Sequence, residues 1–311
     1  MNFPLFPPQA STTARQVDIL YFALIAVCGL VLLGILAVML YFLFKYRRGK
    51  PARRIERRIS STPFELAWTI IPLTLFMGMF TWGAVIYQDI QRVPGGALEI
   101  NVVGKQWMWK LQHPTGQREI NELHVPLGQA VKLTLASQDV IHSFYLPAFR
   151  IKQDVVPGRL TTEWFKATKL GTFHIFCAEF CGKDHSMMRG RVVVMRPEEY
   201  DAWLTRSAPA APLAEAGERL FRTLGCSGCH AANSIVRAPP IEGLYGKPVP
   251  LQSGRVVVAD DAYIRDSIVL PQRDVAVGYE PLMPSFQGQV NEEQLFELIA
   301  YIKSLGALKP Q

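Results

Sequence analysis

Cys177-Ala-Glu-Phe-Cys181-Gly-Lys-Asp-His185-Ser-Met-Met188 is the stretch around which the fold of this chain must be built. It places two thiols, an imidazole and a thioether within twelve residues, and His142 upstream can complete the set. Thiolate, imidazole and thioether ligands together select copper, whereas a structural zinc site takes four strong ligands and no thioether. The stretch therefore predicts a copper site for electron transfer. The alternative is a disulfide between Cys177 and Cys181, with His185 and Met188 as ordinary loop residues.

A second cysteine motif lies near the C-terminus. Of the five cysteines in the chain, two belong to Cys226-Ser-Gly-Cys229-His230. This is the attachment signature of c-type haem, in which the thiols bind the vinyl groups and the imidazole ligates the iron. A redox-active dithiol or half of a zinc site has a similar pattern. After residue 195, His230 is the only histidine and Met283 the only methionine, so Met283 is the expected sixth ligand unless it only fills a core gap.

Two long apolar runs predict membrane spans. Residues 19–44 and 66–87 contain no charged residue, and each is longer than the ~20 residues that a helix needs to cross a bilayer. A membrane hairpin over residues 1–94 follows. The first fourteen residues contain no Lys or Arg, so we expect the first span to be retained rather than cleaved as a signal peptide.

The loop between the spans fixes the expected orientation. Residues 45–58 hold eight basic residues and one acidic residue, which accounts for the whole net charge of +7. The positive-inside rule places this loop in the cytoplasm and both termini outside, in the periplasm of a bacterial plasma membrane. A nucleic-acid patch is the other meaning of such a run, but the position between two spans explains it without a nucleic-acid partner.

The remainder divides into a β-rich part and a helical part. Short alternating runs separated by Pro and Gly predict an all-β sandwich or Greek-key barrel over residues 95–204. The runs are residues 98–103, 130–135, 160–165, 171–176 and 191–195. An Ala/Pro linker at 205–212 leads to a domain at 213–311, where helical spacing over 213–224 and 291–305 predicts two helices and Asn291 is the expected cap of the second.

These motifs together resemble subunit II of the haem-copper cytochrome c oxidases over about residues 15 to 200. Besides the copper loop, Asp139-Val-Ile-His-Ser-Phe144, Gln106-Trp-Met-Trp109 and Glu65-Leu-Ala-Trp-Thr-Ile-Ile-Pro72 match the family. The resemblance implies a cupredoxin-like domain with the binuclear copper centre CuA, whose two coppers are bridged by both thiolates. The ligands that the family implies here are His142, Cys177, the carbonyl oxygen of Glu179, Cys181, His185 and Met188.

The C-terminal part resembles class I cytochrome c, so the whole chain resembles subunit II of a caa3-type oxidase with a fused cytochrome. The implied fold is a two-helix transmembrane hairpin, then an all-β cupredoxin-like domain, then an all-α class I cytochrome c domain. Electrons are expected to pass from cytochrome c or another periplasmic donor to covalent haem c, then to CuA, then to subunit I. Oxygen reduction and proton pumping belong to subunit I, so enzyme status belongs to the complex, which includes other oxidase subunits.

Three further roles are implied by the resemblance, each with an ordinary alternative. Trp107 is expected to receive electrons for CuA, although a tryptophan beside a strand is often a core residue. The carboxylate of Glu179 is expected to bind magnesium at the boundary with subunit I, or else to be solvated. Glu65 is expected at the mouth of a proton channel in subunit I, or else to stabilise the N-terminus of its helix.

Two other functions remain to be weighed. One is a stand-alone membrane protein that feeds electrons to a denitrification reductase; Glu65 and Trp68 argue against it, because a simple anchor needs neither. The other is a quinol oxidase subunit, which fits poorly because that branch lacks the copper ligands present here.

Overall fold

The computed structural model describes residues 6–49, 62–206, 211–231, 234, 236 and 238–306, and it separates into two compact units. The smaller unit spans residues 12–92, and the larger contains the first eleven residues and everything from Val93 onward.

The smaller unit is a pair of long helices, α1 (Thr12–Lys45) and α2 (Thr62–Gln91). Both are long and apolar enough to cross a membrane, and the two predicted spans lie within them. Most apolar side chains along both helices are exposed, as expected for surfaces that face lipid. Of the predicted cytoplasmic loop, residues 50–58 lie outside the described residues.

Ten strands follow in the larger unit and form two sheets. They are β1 (Leu98–Lys105), β2 (Met108–Gln112), β3 (Arg118–Ile120), β4 (Glu122–Pro126), β5 (Ala130–Ser137), β6 (His142–Leu146), β7 (Ile151–Val155), β8 (Thr161–Lys166), β9 (Gly171–Cys177) and β10 (Arg189–Met195). The first sheet has the order β3-β2-β1-β5-β8 and the second the order β4-β10-β9-β6-β7. The five predicted strands are confirmed as β1, β5, β8, β9 and β10, while the other five were missed.

The two sheets pack face to face around one apolar core, as the sandwich prediction required. Its largest fully buried side chains include Trp109, Phe144, Phe149 and Phe165. Alternation along the strands produces this core, since Ile100 and Val102 of β1 point into it and the residues between them point away. A short helix, α3 (Pro197–Arg206), which the sequence analysis did not predict, follows the last strand.

Among its described residues, the C-terminal domain has four helices and a small hairpin. These are α4 (Leu213–Thr223), α5 (Ser227–His230), the paired strands β11 (Pro248–Pro250) and β12 (Val256–Val258), α6 (Asp261–Val269) and α7 (Glu292–Ser304). The predicted helices are confirmed as α4 and α7. Asn291 caps α7 as expected, and its side chain and that of Gln294 form a reciprocal capping box.

The predicted domain boundaries stay predictions. Residues 207–210, the middle of the proposed linker, lie outside the described residues. On both sides of that stretch, the sandwich and the C-terminal domain belong to the same compact unit.

Candidate copper and haem centres

Neighbouring strands of the second sheet bring the predicted copper ligands together. His142 is the first residue of β6 and Cys177 the last residue of β9, and these strands are antiparallel partners with Phe144 opposite Cys177. The chain then turns through Cys181 into a short 3-10 helix that begins at His185. A distant histidine and a compact loop thus meet at one end of the sandwich.

The donor atoms of the predicted ligands form a continuous cluster. The Sγ atom of Cys177 lies 3.8 Å from Sγ of Cys181, 3.9 Å from Nδ1 of His142 and 3.2 Å from the carbonyl oxygen of Glu179. A separation of 3.8 Å between the sulfur atoms is far too long for a disulfide, and both thiols are free. The disulfide alternative therefore does not describe this structure.

The second thiol completes the cluster. Sγ of Cys181 lies 3.5 Å from Nδ1 of His185 and 3.8 Å from Sδ of Met188. Met188 is 1% exposed and His142 is fully buried, whereas His185 is half-buried. Two central sulfurs, each with one imidazole nitrogen and one weak donor, fit two copper ions that share both thiolates.

Asp139 orients His142 and was not identified from the sequence. Its carboxylate lies 2.8 Å from Nε2 of His142 and accepts hydrogen bonds from the backbone N–H groups of Gln106 and Val140. With Nε2 directed at a carboxylate, Nδ1 is the nitrogen left for a metal. The sequence signal was an acid three residues before a ligand histidine, which is too common a spacing to stand out.

Hydrogen bonds and burial shift the pKa values of the two thiols in opposite directions. Burial acts to raise the pKa of the Cys177 thiol, but the hydrogen bonds with His142, the backbone of Ser143 and Glu179, and Cys181 together outweigh it and lower the pKa to about 6. The pKa of Cys181 rises because the thiol is buried and because Cys177 is charged beside it. Since metals bind thiolates, loading both cysteines must release the remaining proton.

Trp107 and Gln106 bind the backbone of the Cys177–Met188 loop. The Nε2 atom of Gln106 and the indole Nε1 of Trp107 donate hydrogen bonds to the carbonyl of Cys181, at 2.7 and 3.2 Å. Trp107 is half-buried and packs on the sandwich core. The core alternative and the electron-transfer role are therefore compatible, because the same side chain contacts the core and the copper loop.

The other two residues with predicted roles lie apart from the donor cluster. Residue Glu179 is exposed, and it contributes its carbonyl oxygen to the cluster. Glu65 lies in the first turn of α2 and is exposed. The exposed position of Glu179 is compatible with a magnesium ligand and with a solvated carboxylate. The position of Glu65 is compatible with the mouth of a proton channel and with a residue that stabilises the N-terminus of its helix.

The haem motif opens onto a cavity in the C-terminal domain. The cavity measures ≈ 490 Å³, and Cys226, Cys229, His230 and Met283 all line it. Most of its wall is apolar, including Ile264, Leu298 and other side chains of the helical core. The two attachment thiols, one imidazole, one thioether and an apolar wall fit a covalent haem.

A backbone contact orients His230, the predicted haem ligand. Nδ1 of His230 lies 3.0 Å from the carbonyl oxygen of Pro239. A protonated Nδ1 that donates to this carbonyl leaves Nε2 free to bind iron. Pro239 was not identified from the sequence, since a carbonyl acceptor can belong to any residue type.

Comparison with known families follows the same division of the chain. The model described as "Cytochrome C oxidase subunit II, transmembrane domain" matches residues 1–81, and "Cytochrome C oxidase subunit II, periplasmic domain" matches residues 118–195. The model described as "Cytochrome c" matches residues 214–306. These models imply copper in the sandwich and haem in the C-terminal domain.

Individual proteins agree with the family models. "Cytochrome c oxidase subunit 2" of Alkalihalophilus pseudofirmus is 30% identical over 302 residues, which cover 92% of this chain and 86% of the relative. "Alternative cytochrome c oxidase subunit 2" of Bradyrhizobium diazoefficiens is 29% identical over 60% of this chain and 78% of its own length. The crystal structure of the periplasmic domain of subunit II of cytochrome oxidase of Bradyrhizobium japonicum is 36% identical over 37% of this chain and 96% of its own, with a TM-score of 0.36.

The relative from Alkalihalophilus aligns across the hairpin, the sandwich and the C-terminal domain together. Because that alignment and the family models agree, the chain belongs to the cytochrome c oxidase subunit II family, in the form with a C-terminal cytochrome c domain, and is a membrane-anchored subunit of an oxidoreductase complex.

Proposed function

We propose that this chain relays electrons from a periplasmic donor, cytochrome c or a similar carrier, to subunit I of a terminal oxidase. Covalent haem c held by Cys226, Cys229, His230 and Met283 supplies the first one-electron carrier, and a binuclear copper centre supplies the second. Subunit I then reduces oxygen to water and pumps protons. Both termini and both redox domains lie on the outer side of a bacterial plasma membrane.

The donor cluster around Cys177 and Cys181 is the observation that carries this proposal. All six donor atoms of the proposed set form one chain of contacts between 3.2 and 3.9 Å, and the two sulfurs lie at its centre. Loops fixed between β strands cannot relax far when the charge at the centre changes. The protein therefore keeps the reorganisation small, which favours fast electron transfer.

Each remaining residue acts on its neighbours rather than on oxygen. Asp139 fixes the ring of His142, and the carbonyl of Pro239 fixes the ring of His230. The matches to both the membrane and the periplasmic models of subunit II favour this role over a stand-alone electron carrier.

Three secondary assignments belong to the same proposal. Trp107 receives electrons for the copper centre, supported by its hydrogen bond to the carbonyl of Cys181; Trp107→Phe should slow reduction of copper by an external donor. The exposed carboxylate of Glu179 binds magnesium at the subunit I boundary, and Glu179→Gln should lower bound manganese after growth in manganese while copper stays constant. Glu65 feeds a proton channel of subunit I, and Glu65→Gln should lower the ratio of protons pumped to electrons transferred.

Metal analysis of ligand variants tests the central assignment. The oxidised protein should hold about two coppers per haem and show an electron-spin signal with hyperfine splitting from two equivalent nuclei. Cys181→Ser should lose that signal because one bridge is removed. Met188→Leu, which removes a weak ligand, is the matched control and should keep both coppers with a changed potential.

One copper per chain in the wild-type protein, or a signal from a single nucleus, contradicts the binuclear assignment.

A further inference from the structure

The outer face of the first sheet is covered by the C-terminal domain. Along β1, Ile100 and Val102 point into the sandwich, while Val103 points the other way and is nevertheless fully buried. Val103 and its register partner Ala136 on β5 belong to the apolar cluster of the C-terminal domain. In an isolated sandwich these two side chains would face water, so the sheet is shaped for a partner on this face.

Four ion pairs surround this apolar contact. On the sandwich, Lys110, Lys132 and Arg118 face acids of the C-terminal domain, and in the fourth pair the signs are reversed. The pairs are Lys110–Glu293 at 2.9 Å, Lys132–Asp261 at 3.9 Å, Lys303–Glu99 at 3.0 Å and Arg118–Glu297 at 2.5 Å. An apolar centre inside a charged rim is typical of a specific protein interface. The strength of such an interface depends on salt, because salt screens the ion pairs of the rim.

The charged residues on this face shift one another's pKa values and share ion-pair partners. Burial acts to lower the pKa of the Lys303 ammonium, but Asp261 and Glu99 outweigh it and raise the pKa. Lys132 Nζ also lies 3.0 Å from Glu99, so this carboxylate is shared by one lysine of each domain. Arg265 of α6 adds a hydrogen bond to the carbonyl of Gly158, at 3.0 Å.

The same face reaches both redox centres. On the sandwich side, Val103 precedes Gly104, and a Cβ at Gly104 would lie 3.0 Å from Cδ2 of His142. Backbone therefore contacts the ligand ring directly, with no side chain between them. On the other side, Ile264 and Ile302 line the haem cavity and belong to the same apolar cluster as Val103.

We propose that this interface is the route by which the C-terminal domain passes electrons to the copper centre, through Val103 and Gly104 of β1 to His142. The proposal rests on the proposed function above and adds a path to it. One electron leaves ferrous haem iron and reduces the oxidised copper centre, while the residues of β1 change no bond and move no proton. Trp107 contacts the carbonyl of Cys181 instead and is not part of this route.

Zero-length cross-linking tests the interface itself. A carbodiimide joins a lysine to a carboxylate only when the two are in contact, so the purified oxidase at low salt should give Lys303–Glu99 and Lys110–Glu293 cross-links by mass spectrometry. Their yield should fall at high salt, because screening weakens the rim. Absence of both cross-links at low salt, or a yield that salt leaves unchanged, overturns the proposed docking.

A charge exchange tests the route. In the oxidase, Lys110→Glu and Glu293→Lys should each slow electron transfer from photoreduced haem to copper, by roughly threefold or more, because each places like charges in contact. The double variant should recover to within about twofold of wild type, since it restores the pair with reversed signs. Arg222→Glu, which breaks the Arg222–Glu218 pair within α4, is the matched control and should have no effect.

The outcomes separate this inference from the proposed function. If wild-type haem never reduces the copper, the proposed function is wrong. If wild type transfers electrons but the single variants match it, or the double variant does not recover, the relay stands and the route through this face is wrong.

Discussion

Within the sandwich, a buried carboxyl group on β8 contributes to the dependence of stability on pH. Glu163 on β8 points inward beside core residues, and both of its carboxyl oxygens are buried without a hydrogen-bond partner among the described residues. Burial raises the pKa of this carboxyl well above its usual value, and Lys152 offsets this only in part. The group therefore folds in its neutral form.

Glu163→Gln should remove this dependence on pH. In the unfolded chain the carboxyl ionises above pH ~4.3, whereas in the fold it keeps its proton to a higher pH. The unfolding free energy of wild type should thus fall, relative to the variant, by about 1.4 kcal/mol per pH unit until the folded pKa is reached. Denaturant unfolding of the full chain in detergent at several pH values measures the difference.

Glu198→Gln, an exposed change at the start of α3, is the control and should parallel wild type at every pH. If Glu163→Gln also parallels wild type, the buried carboxyl is not neutral in the fold.

Among the elements, the contact between α4 and α7 depends on the absence of a side chain. Gly217 lies on α4 where it crosses α7, and a Cβ there would lie 1.9 Å from the carbonyl oxygen of Glu297. The amphipathic faces of both helices meet here and bury Phe221, Leu298 and Ile302. Because the obstructing atom belongs to the backbone, no side-chain rotation can relieve the clash.

Gly217→Ala should therefore separate the two helices and destabilise the C-terminal domain. The expected loss is about 1–3 kcal/mol, the usual cost of overpacking, despite the better helix propensity of alanine. Thermal unfolding followed at the haem Soret band measures it. Gly95→Ala is the control, since a Cβ at Gly95 meets nothing within 4 Å and the residue lies outside the haem motif. Equal melting temperatures for the two variants would rule out the close crossing.

At the scale of the whole molecule, we expect the fusion to set the order of electron flow. A short linker keeps the C-terminal domain at a local concentration of roughly millimolar, so its electrons should reach copper without a second encounter. The rate of this step should then be independent of protein concentration.

Met283→His tests that order. The iron should stay six-coordinate at a lower potential, because a harder nitrogen replaces the thioether that favours ferrous iron. Turnover with the natural donor should fall, while electrons injected directly at the copper centre should reach oxygen at the normal rate. Equal slowing of both routes would show that the haem is not upstream of the copper.

The sequence by itself determined the features that depend on local chemistry. Short segments contain the candidate ligands of the Cys177–Met188 loop, the Cys226-Ser-Gly-Cys-His230 motif, the two apolar spans and the cap at Asn291, because few residue types can perform these tasks. Strands such as β1 and β5 were predicted because alternation over residues 98–103 and 130–135 has little other explanation. Short strands such as β3 and β6 were missed because three to five residues carry too little periodicity.

Tertiary structure alone decided which distant residues meet. Asp139 orients His142, Glu163 is buried away from solvent, and Val103 is buried by the C-terminal domain. Nothing in the sequence next to these residues distinguishes them. The physical reason is that burial and hydrogen bonding depend on what arrives from elsewhere in the chain. A residue's outward position on a strand is a local property, whereas the partner that covers it is set by the packing of the whole molecule.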